Sequence, residues 1–202
     1  MYFHHLNSSQ AFAFNLFFPF FSAGAAPARA LSSALGVAAE IRPNCEFEHI
    51  ADESEGTNAD VMWRTADARV FCEVKLSESG FGRAINDPKH RRKLETIYKP
   101  RLKNMVASNL LEEPTFFKNY QLLRNISLLA ADEADRLVIL HPHANRSLHK
   151  PLQMVLDGVA PAIRQRVKVA YVEECLERLK NNATLPDRLR LYASQLIDKY
   201  VV

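Results

Sequence analysis

The chain has 202 residues, of which 48% are hydrophobic and 24% charged, with six glycines, ten prolines and three cysteines. These proportions belong to a globular chain and exclude a collagen, a coiled coil, a disulfide-stapled miniprotein and a disordered segment. The formal charge of +3 conceals a division: residues 1–87 sum to −5, residues 88–103 to +6 and the remainder to +2.

The first feature in chain order is the apolar run Ala11 to Phe21, AFAFNLFFPFF, followed by small residues. It has the outline of a signal peptide, but no Lys or Arg precedes it, Asn15 interrupts it, and it is too short to span a bilayer. A buried N-terminal helix is expected instead, with Ser8 or Ser9 as N-cap and Gln10 in its first turn. Ala26 to Glu40, opened by Pro27 and stopped before Pro43, predicts a second helix. Cys45 to Ile50 alternates as a short strand, and Asn58 to Arg64 and Arg69 to Leu76 follow as two more around the turn-like TADA. Residues 77–117 read mostly as charged loop, with a helix possible only over Lys99 to Leu111. Phe116 to Ala131 has helical periodicity, with Phe117, Tyr120 and Leu123 on one side. Arg136 to His141 predicts a buried fourth strand. Helices over Val155 to Gln165 and Glu173 to Lys180 then flank a strand over Val167 to Val172, and Pro186 to Tyr200 closes the chain as a helix. Cys45, Cys72 and Cys175 form no CxxC and have no partner histidine at zinc-ligand spacing, so buried free thiols in a reducing, cytoplasmic compartment are expected.

The chemistry lies in the pair of strands NADVMWR and RVFCEVKL. A hairpin centred on Ala66 and Asp67 pairs residues whose numbers total 133, which sets Asp60 across from Glu73. Like charges so placed destabilise a sheet unless something neutralises them. A hard divalent cation does so, since Mg²⁺ takes one or two carboxylates and keeps its other positions for water and phosphate oxygens. Lys75, two residues beyond Glu73, projects from the same face, while Cys72, Val74 and Leu76 face the core. Two carboxylates, a lysine and a metal suit phosphodiester hydrolysis. Glu73-Val74-Lys75 alone is weak, because Asp87-Pro88-Lys89 has the same acid-x-lysine pattern.

With those residues in view, the chain resembles the PD-(D/E)XK nuclease superfamily and, more narrowly, small bacterial restriction-endonuclease-like proteins, through SSQAFAFNLFFPF, GTNADV, EVKLSESGFG and YQLLRNI. Ala59 stands where the pattern's name has proline. The resemblance runs from about Ser8 to about Pro142. It implies an α/β fold with a restriction-endonuclease-like core, a central mixed β-sheet flanked by helices in the order α-β-β-β-α-β. It also implies one domain over 1–202, with an N-terminal helical segment (8–40), a catalytic core (about 44–142) and a C-terminal α/β extension (150–202).

Carried over by residue, the resemblance implies that Asp60 and Glu73 hold Mg²⁺, with Mn²⁺ as a substitute and the Val74 carbonyl as a third-ligand candidate. Lys75 would be the catalytic lysine. Gln121 and Arg124, neighbours on one helix face, would orient Lys75, the water or a phosphate. Glu40 and Glu48 are the two candidates for an additional acid. The basic block Lys89, Arg91, Arg92, Lys93, Lys99, Arg101 and Lys103 follows directly and suits a polyanion, DNA or RNA. His141, His143 and His149 read as a polar strand end, and Trp63 and Phe71 as core. The function expected is that of a metal-dependent DNA nuclease with no membrane partner, and a homodimer remains open. The rival readings are a nuclease fold that binds nucleic acid without cleaving it, and an unrelated α/β scaffold in which Glu73 and Lys75 are an ordinary salt bridge.

Overall fold

The structure, a computed structural model, describes residues 8–53 and 55–201. Residues 1–7, which open the stretch before the apolar run, lie outside them. Helix α1 (Ser9–Ser22) buries Phe12, Leu16, Phe17 and Phe20 completely. Ser8 holds the N-cap position without a side-chain cap bond. No helix among the described residues is long and apolar enough to cross a membrane.

Helix α2 (Ala25–Ala34) ends well short of the expected Glu40. Gly36 turns the chain at φ +85°, a left-handed conformation that glycine adopts without a Cβ penalty. The amides of Gly36 and Val37 then bond back to the Ser33 and Ser32 carbonyls, both at 2.9 Å, completing a Schellman stop.

Five strands form one mixed sheet in the order β1-β2-β3-β4-β5: β1 (Ile41–Asp52), β2 (Thr57–Thr65), β3 (Arg69–Val74), β4 (Arg136–His141) and β5 (Val167–Tyr171). The first three are an antiparallel meander, and β3-β4 and β4-β5 are parallel. This is the expected α/β architecture with a mixed sheet between helices. The stretch expected as a C-terminal extension supplies β5, so it completes the sheet. β4 reads as an unbroken apolar run because helices cover both of its faces.

The segment expected to be mostly loop instead carries a helical rod. It consists of α3 (Pro88–Lys93), one π-turn over Leu94–Tyr98 and α4 (Lys99–Leu102). Asp87 caps it, its side chain accepting from the His90 amide at 2.8 Å with Pro88 at the first helical position. The acid-x-lysine match at Asp87 is therefore a helix start. Just before Pro100, which has no N–H, the Lys99 amide reaches back to the Leu94 carbonyl, and the π-turn absorbs the break.

The expected helix over 116–131 is two helices, α5 (Glu113–Lys118) and α6 (Tyr120–Ser127), separated at Asn119. After β4 come α7 (His149–Asp157), which begins six residues before the expected helix, and the single turn α8 (Pro161–Arg164). Helices α9 (Val172–Lys180) and α10 (Asp187–Tyr200) close the chain.

Two cores sandwich the sheet. One packs Phe12, Leu16, Leu31, Cys72, Leu140 and Leu176, together with Trp63, against α1, α2, α9 and α10. The other packs Met62, Phe71, Tyr98, Leu123 and Ile139 under α3 to α7. Cys45, Cys72 and Cys175 are free thiols.

Candidate active site

The β2-β3 ladder has the register that the hairpin spacing dictates: Arg64 with Arg69, Trp63 with Val70, Met62 with Phe71 and Val61 with Cys72. Met62 and Phe71 share one face, and two residues further along each strand come Asp60 and Glu73. The backbone pairing stops at Val61 and Cys72. Beyond it the Asp60 carboxylate replaces the missing strand carbonyl, Oδ2 accepting from the Val74 amide at 2.7 Å. The strands thus part where the two acids meet, and a side chain fills the opening.

Glu73 is 1% exposed, and both its oxygens are held. Oε1 accepts from Gln121 Nε2 at 2.5 Å and pairs with Lys75 Nζ at 2.9 Å. Oε2 accepts from Asn125 Nδ2 at 2.8 Å. A carboxylate offers about four lone-pair positions, so three donors leave one open. Asn125 is itself buried, and because its amide nitrogen must face the carboxylate, its Oδ1 is left buried without a partner. This residue was missed at the sequence level, although it lies four positions from Gln121, one helical turn on.

The electrostatics follow from burial. Desolvation and the Glu73 charge push the Asp60 carboxyl up to about 8, against the opposing pull of the Val74 amide and Lys75. For Lys75, burial alone would lower the ammonium's pKa, but the charge and hydrogen bond of Glu73 outweigh it and hold the group above its ordinary value. Lys75 is accordingly a cation beside an acid that keeps its proton near neutrality.

Of the two further acids, Glu40 is exposed and paired with Arg29 at 2.5 Å. Glu48 lies on β1, where the pairs Phe47 with Val61 and His49 with Ala59 bring it level with Asp60. It takes φ +50°, the one positive value among the described non-glycine residues, and its carboxylate turns to Gln10 at 2.8 Å and Asn58 at 3.5 Å. Its charge still adds to the upward pressure on Asp60. The described residues hold no cluster of three or more metal-ligating side chains. The donor set is thus two facing carboxylates, which suits a cation that keeps water and phosphate as its other ligands.

The loop after β3 is fixed from both sides. Ser9 at the start of α1 accepts from the Leu76 amide at 2.9 Å and donates to Glu78 at 2.5 Å. The Gly82 amide donates to Gln121 Oε1 at 2.8 Å, and a Cβ at Gly82 would meet that oxygen at 2.9 Å. The sequence segments around SSQ, EVKLSESGFG and YQLLRN converge here.

Arg124 is not bonded to Glu73. Its Nε is buried without a partner, and the side chain makes no hydrogen bond or ion pair with the described residues.

The basic block divides. Lys93 pairs with the buried Glu55 at 3.1 Å, Arg101 with Asp52 at 2.5 Å, and Lys99 with Glu95 at 2.5 Å. Lys89, Arg92 and Lys103 are exposed and pair with no carboxylate among the described residues, while Arg91 donates to Asn86 at 3.1 Å. His90 packs edge-on against Tyr120, the residue before Gln121, which brings the front of the basic rod alongside the carboxylate site.

A sequence model of one protein family, described as REase-ARP, Restriction Endonuclease associating with ARP, matches residues 1–201. No curated protein and no solved structure matches the chain.

Proposed function

The chain belongs to the REase-ARP family, and from that membership we propose that it is a metal-dependent nuclease of the PD-(D/E)XK type that hydrolyses phosphodiester bonds in DNA. The observation that carries this reading is the parted end of β2 and β3, where Asp60, Glu73 and Lys75 meet on one face of the sheet and Glu73 is fixed by Gln121 and Asn125. Asp60 and Glu73 would hold Mg²⁺ or Mn²⁺, with the Val74 carbonyl as a third ligand. The bound ion would supply an activated water and a Lewis acid for the phosphoryl oxygens.

The other roles fall to the chain's own groups. Lys75, kept protonated by Glu73, donates hydrogen bonds and neutralises charge developing on the phosphoryl oxygens; it does not serve as a base. Gln121 and Asn125 are positioning residues that fix the Glu73 carboxylate. Arg124, with no hydrogen-bond or ion-pair partner among the described residues, is available to a phosphate. Lys89, Arg92 and Lys103 supply the sequence-independent attraction to the DNA backbone, so binding weakens steeply with salt. Three free thiols accord with a reducing, cytoplasmic setting.

The test is plasmid cleavage with Mg²⁺ or Mn²⁺ by the wild type beside Asp60→Ala, Glu73→Ala and Lys75→Ala. The wild type should nick or linearise the DNA, and each variant should lose roughly a hundredfold or more. Equal activity in all four proteins, or none toward DNA or RNA, would overturn the assignment.

A further inference from the structure

Lys75 lies one residue beyond the end of β3, where the regular ladder no longer fixes its direction. A side chain's direction is set by the peptide planes on either side of its Cα, because only φ and ψ are soft. The plane before Lys75 is held by the sheet, its amide donating to the Leu140 carbonyl at 2.9 Å. The plane after it carries the Leu76 amide, and side chains take that one. Ser9 Oγ accepts from it at 2.9 Å and Glu78 Oε2 at 2.7 Å.

The two acceptors are joined to each other. A hydroxyl has one proton and two lone pairs; that of Ser9 donates to Glu78 Oε1 at 2.5 Å and keeps a lone pair for the amide. Amide, hydroxyl and carboxylate therefore close a ring. Asn145, in the turn after β4, braces the carbonyl side of the same segment, its Nδ2 donating to the Leu76 oxygen at 3.3 Å and the Glu78 oxygen at 2.9 Å. The Ser147 hydroxyl in turn donates to Asn145 Oδ1 at 2.7 Å. The start of α1, the continuation of β3 and the turn after β4 thus grip the three residues that follow Lys75.

The carboxylate in this ring also bears on the lysine's charge. Against burial, which lowers the Lys75 pKa, the charges of Glu73, Asp60 and Glu78 hold it up. The first turn of α1 reaches a further acid as well, since Gln10 holds Glu48 at 2.8 Å. That helix start is therefore part of the carboxylate site, in addition to covering the core.

A long, flexible side chain loses rotamer freedom when it is held in one place, and a fixed backbone reduces what must be ordered as the reaction proceeds. We propose that Ser9 and Glu78 are positioning residues for Lys75: their ring with the Leu76 amide fixes the peptide plane that follows Lys75 and so aims its ammonium at the opening between β2 and β3. The part Lys75 plays in cleavage rests on the nuclease reading.

The experiment compares the full chain as wild type, Ser9→Ala, Ser9→Thr and Glu78→Ala, with thermal melting to confirm that each is folded. Plasmid cleavage in saturating Mg²⁺ gives kcat and KM. A lysine-selective ¹H–¹⁵N spectrum in EDTA reads the Lys75 ammonium, assigned by its loss in Lys75→Arg, with Lys93, held by Glu55, as the internal control. Ser9→Ala and Glu78→Ala should lower kcat by about tenfold or more and leave KM within about twofold. The Lys75 signal should broaden away in both while that of Lys93 stays, and Ser9→Thr, which keeps the hydroxyl, should restore kcat and signal together. An unmoved Lys75 signal in both variants, loss of the Lys93 signal along with it, or equal losses in Ser9→Thr and Ser9→Ala overturns the proposal. Cleavage with an unmoved Lys75 signal removes the positioning role and leaves the nuclease reading standing, whereas a wild type that cleaves neither DNA nor RNA removes that reading and leaves the two signals to decide the ring.

Discussion

Two buried glutamates in this fold are built alike and positioned differently. Glu73 is held by Lys75, Gln121 and Asn125. Glu55, 6% exposed, pairs with Lys93 at 3.1 Å and accepts from the Tyr98 and Tyr120 hydroxyls. Tyr120 and Gln121 are consecutive on α6, so one helix start serves both. The difference is the neighbour. Glu73 faces a second acid whose proton it helps retain, at an opening in the sheet, whereas Glu55 ties the β1-β2 turn to the basic rod and to α6. A buried glutamate-lysine pair is thus no sign of catalysis by itself; the additional acid and the parted strands set one apart from the other.

The sharpest way to break the comparison is to remove each lysine. Lys75→Ala should abolish cleavage, a loss of roughly a hundredfold or more, and Lys93→Ala should leave cleavage per folded molecule within about threefold while lowering stability by roughly 3 kcal/mol, as when one partner of a buried pair is lost. Cleavage assays with parallel urea unfolding measure both effects. Equal losses of activity would erase the distinction between the sites.

A second contrast is pH. Burial, then the Glu73 charge, raises the Asp60 carboxyl to about 8. The folded chain therefore holds a proton that the unfolded chain releases near 4, and the stability it confers is complete below that value and lost as pH rises toward 8. Metal-free melting temperatures should fall across this window, Asp60→Asn should flatten the slope, and Mg²⁺ should stabilise the wild type more at pH 8 than at pH 6. Glu55 instead faces Lys93 and the Tyr98 and Tyr120 hydroxyls.

Smaller effects refine the picture. Gly82→Ala would press a methyl against Gln121 Oε1, the movable end of a side chain. Stability should change little while cleavage drops by about tenfold, through the displaced hold on Glu73. Tyr120→Phe, which removes a 3.1 Å bond to Glu55, should cost about 1 kcal/mol by thermal unfolding and leave cleavage unchanged.

Much of this arrangement was legible in the sequence. The turn at Ala66 and Asp67 set the register, and alternation along Cys72 to Lys75 sorted core from site without any structure. The basic rod was obscured by Pro88, Pro100 and charge density, although Leu94, Tyr98 and Leu102 recur every four residues and are all buried. Asn125 went unnoticed because a lone amide in an apolar run has no local signature; its role exists only through a glutamate 52 positions away. The pairings of Lys93 and Arg101 were equally invisible, since Glu55 and Asp52 reach them only through the fold. Of the two acids weighed beside the central pair, strand register separates Glu48 from Glu40, and that needed the β1-β2 pairing.

The central claim is that Asp60 and Glu73 form a cation site. The most direct measurement is a crystal soaked in Mn²⁺ and recorded at the manganese absorption edge. The account predicts one anomalous peak bridging the Asp60 and Glu73 carboxylates, absent in Asp60→Ala; no peak there, or a peak unaffected by that substitution, would contradict it.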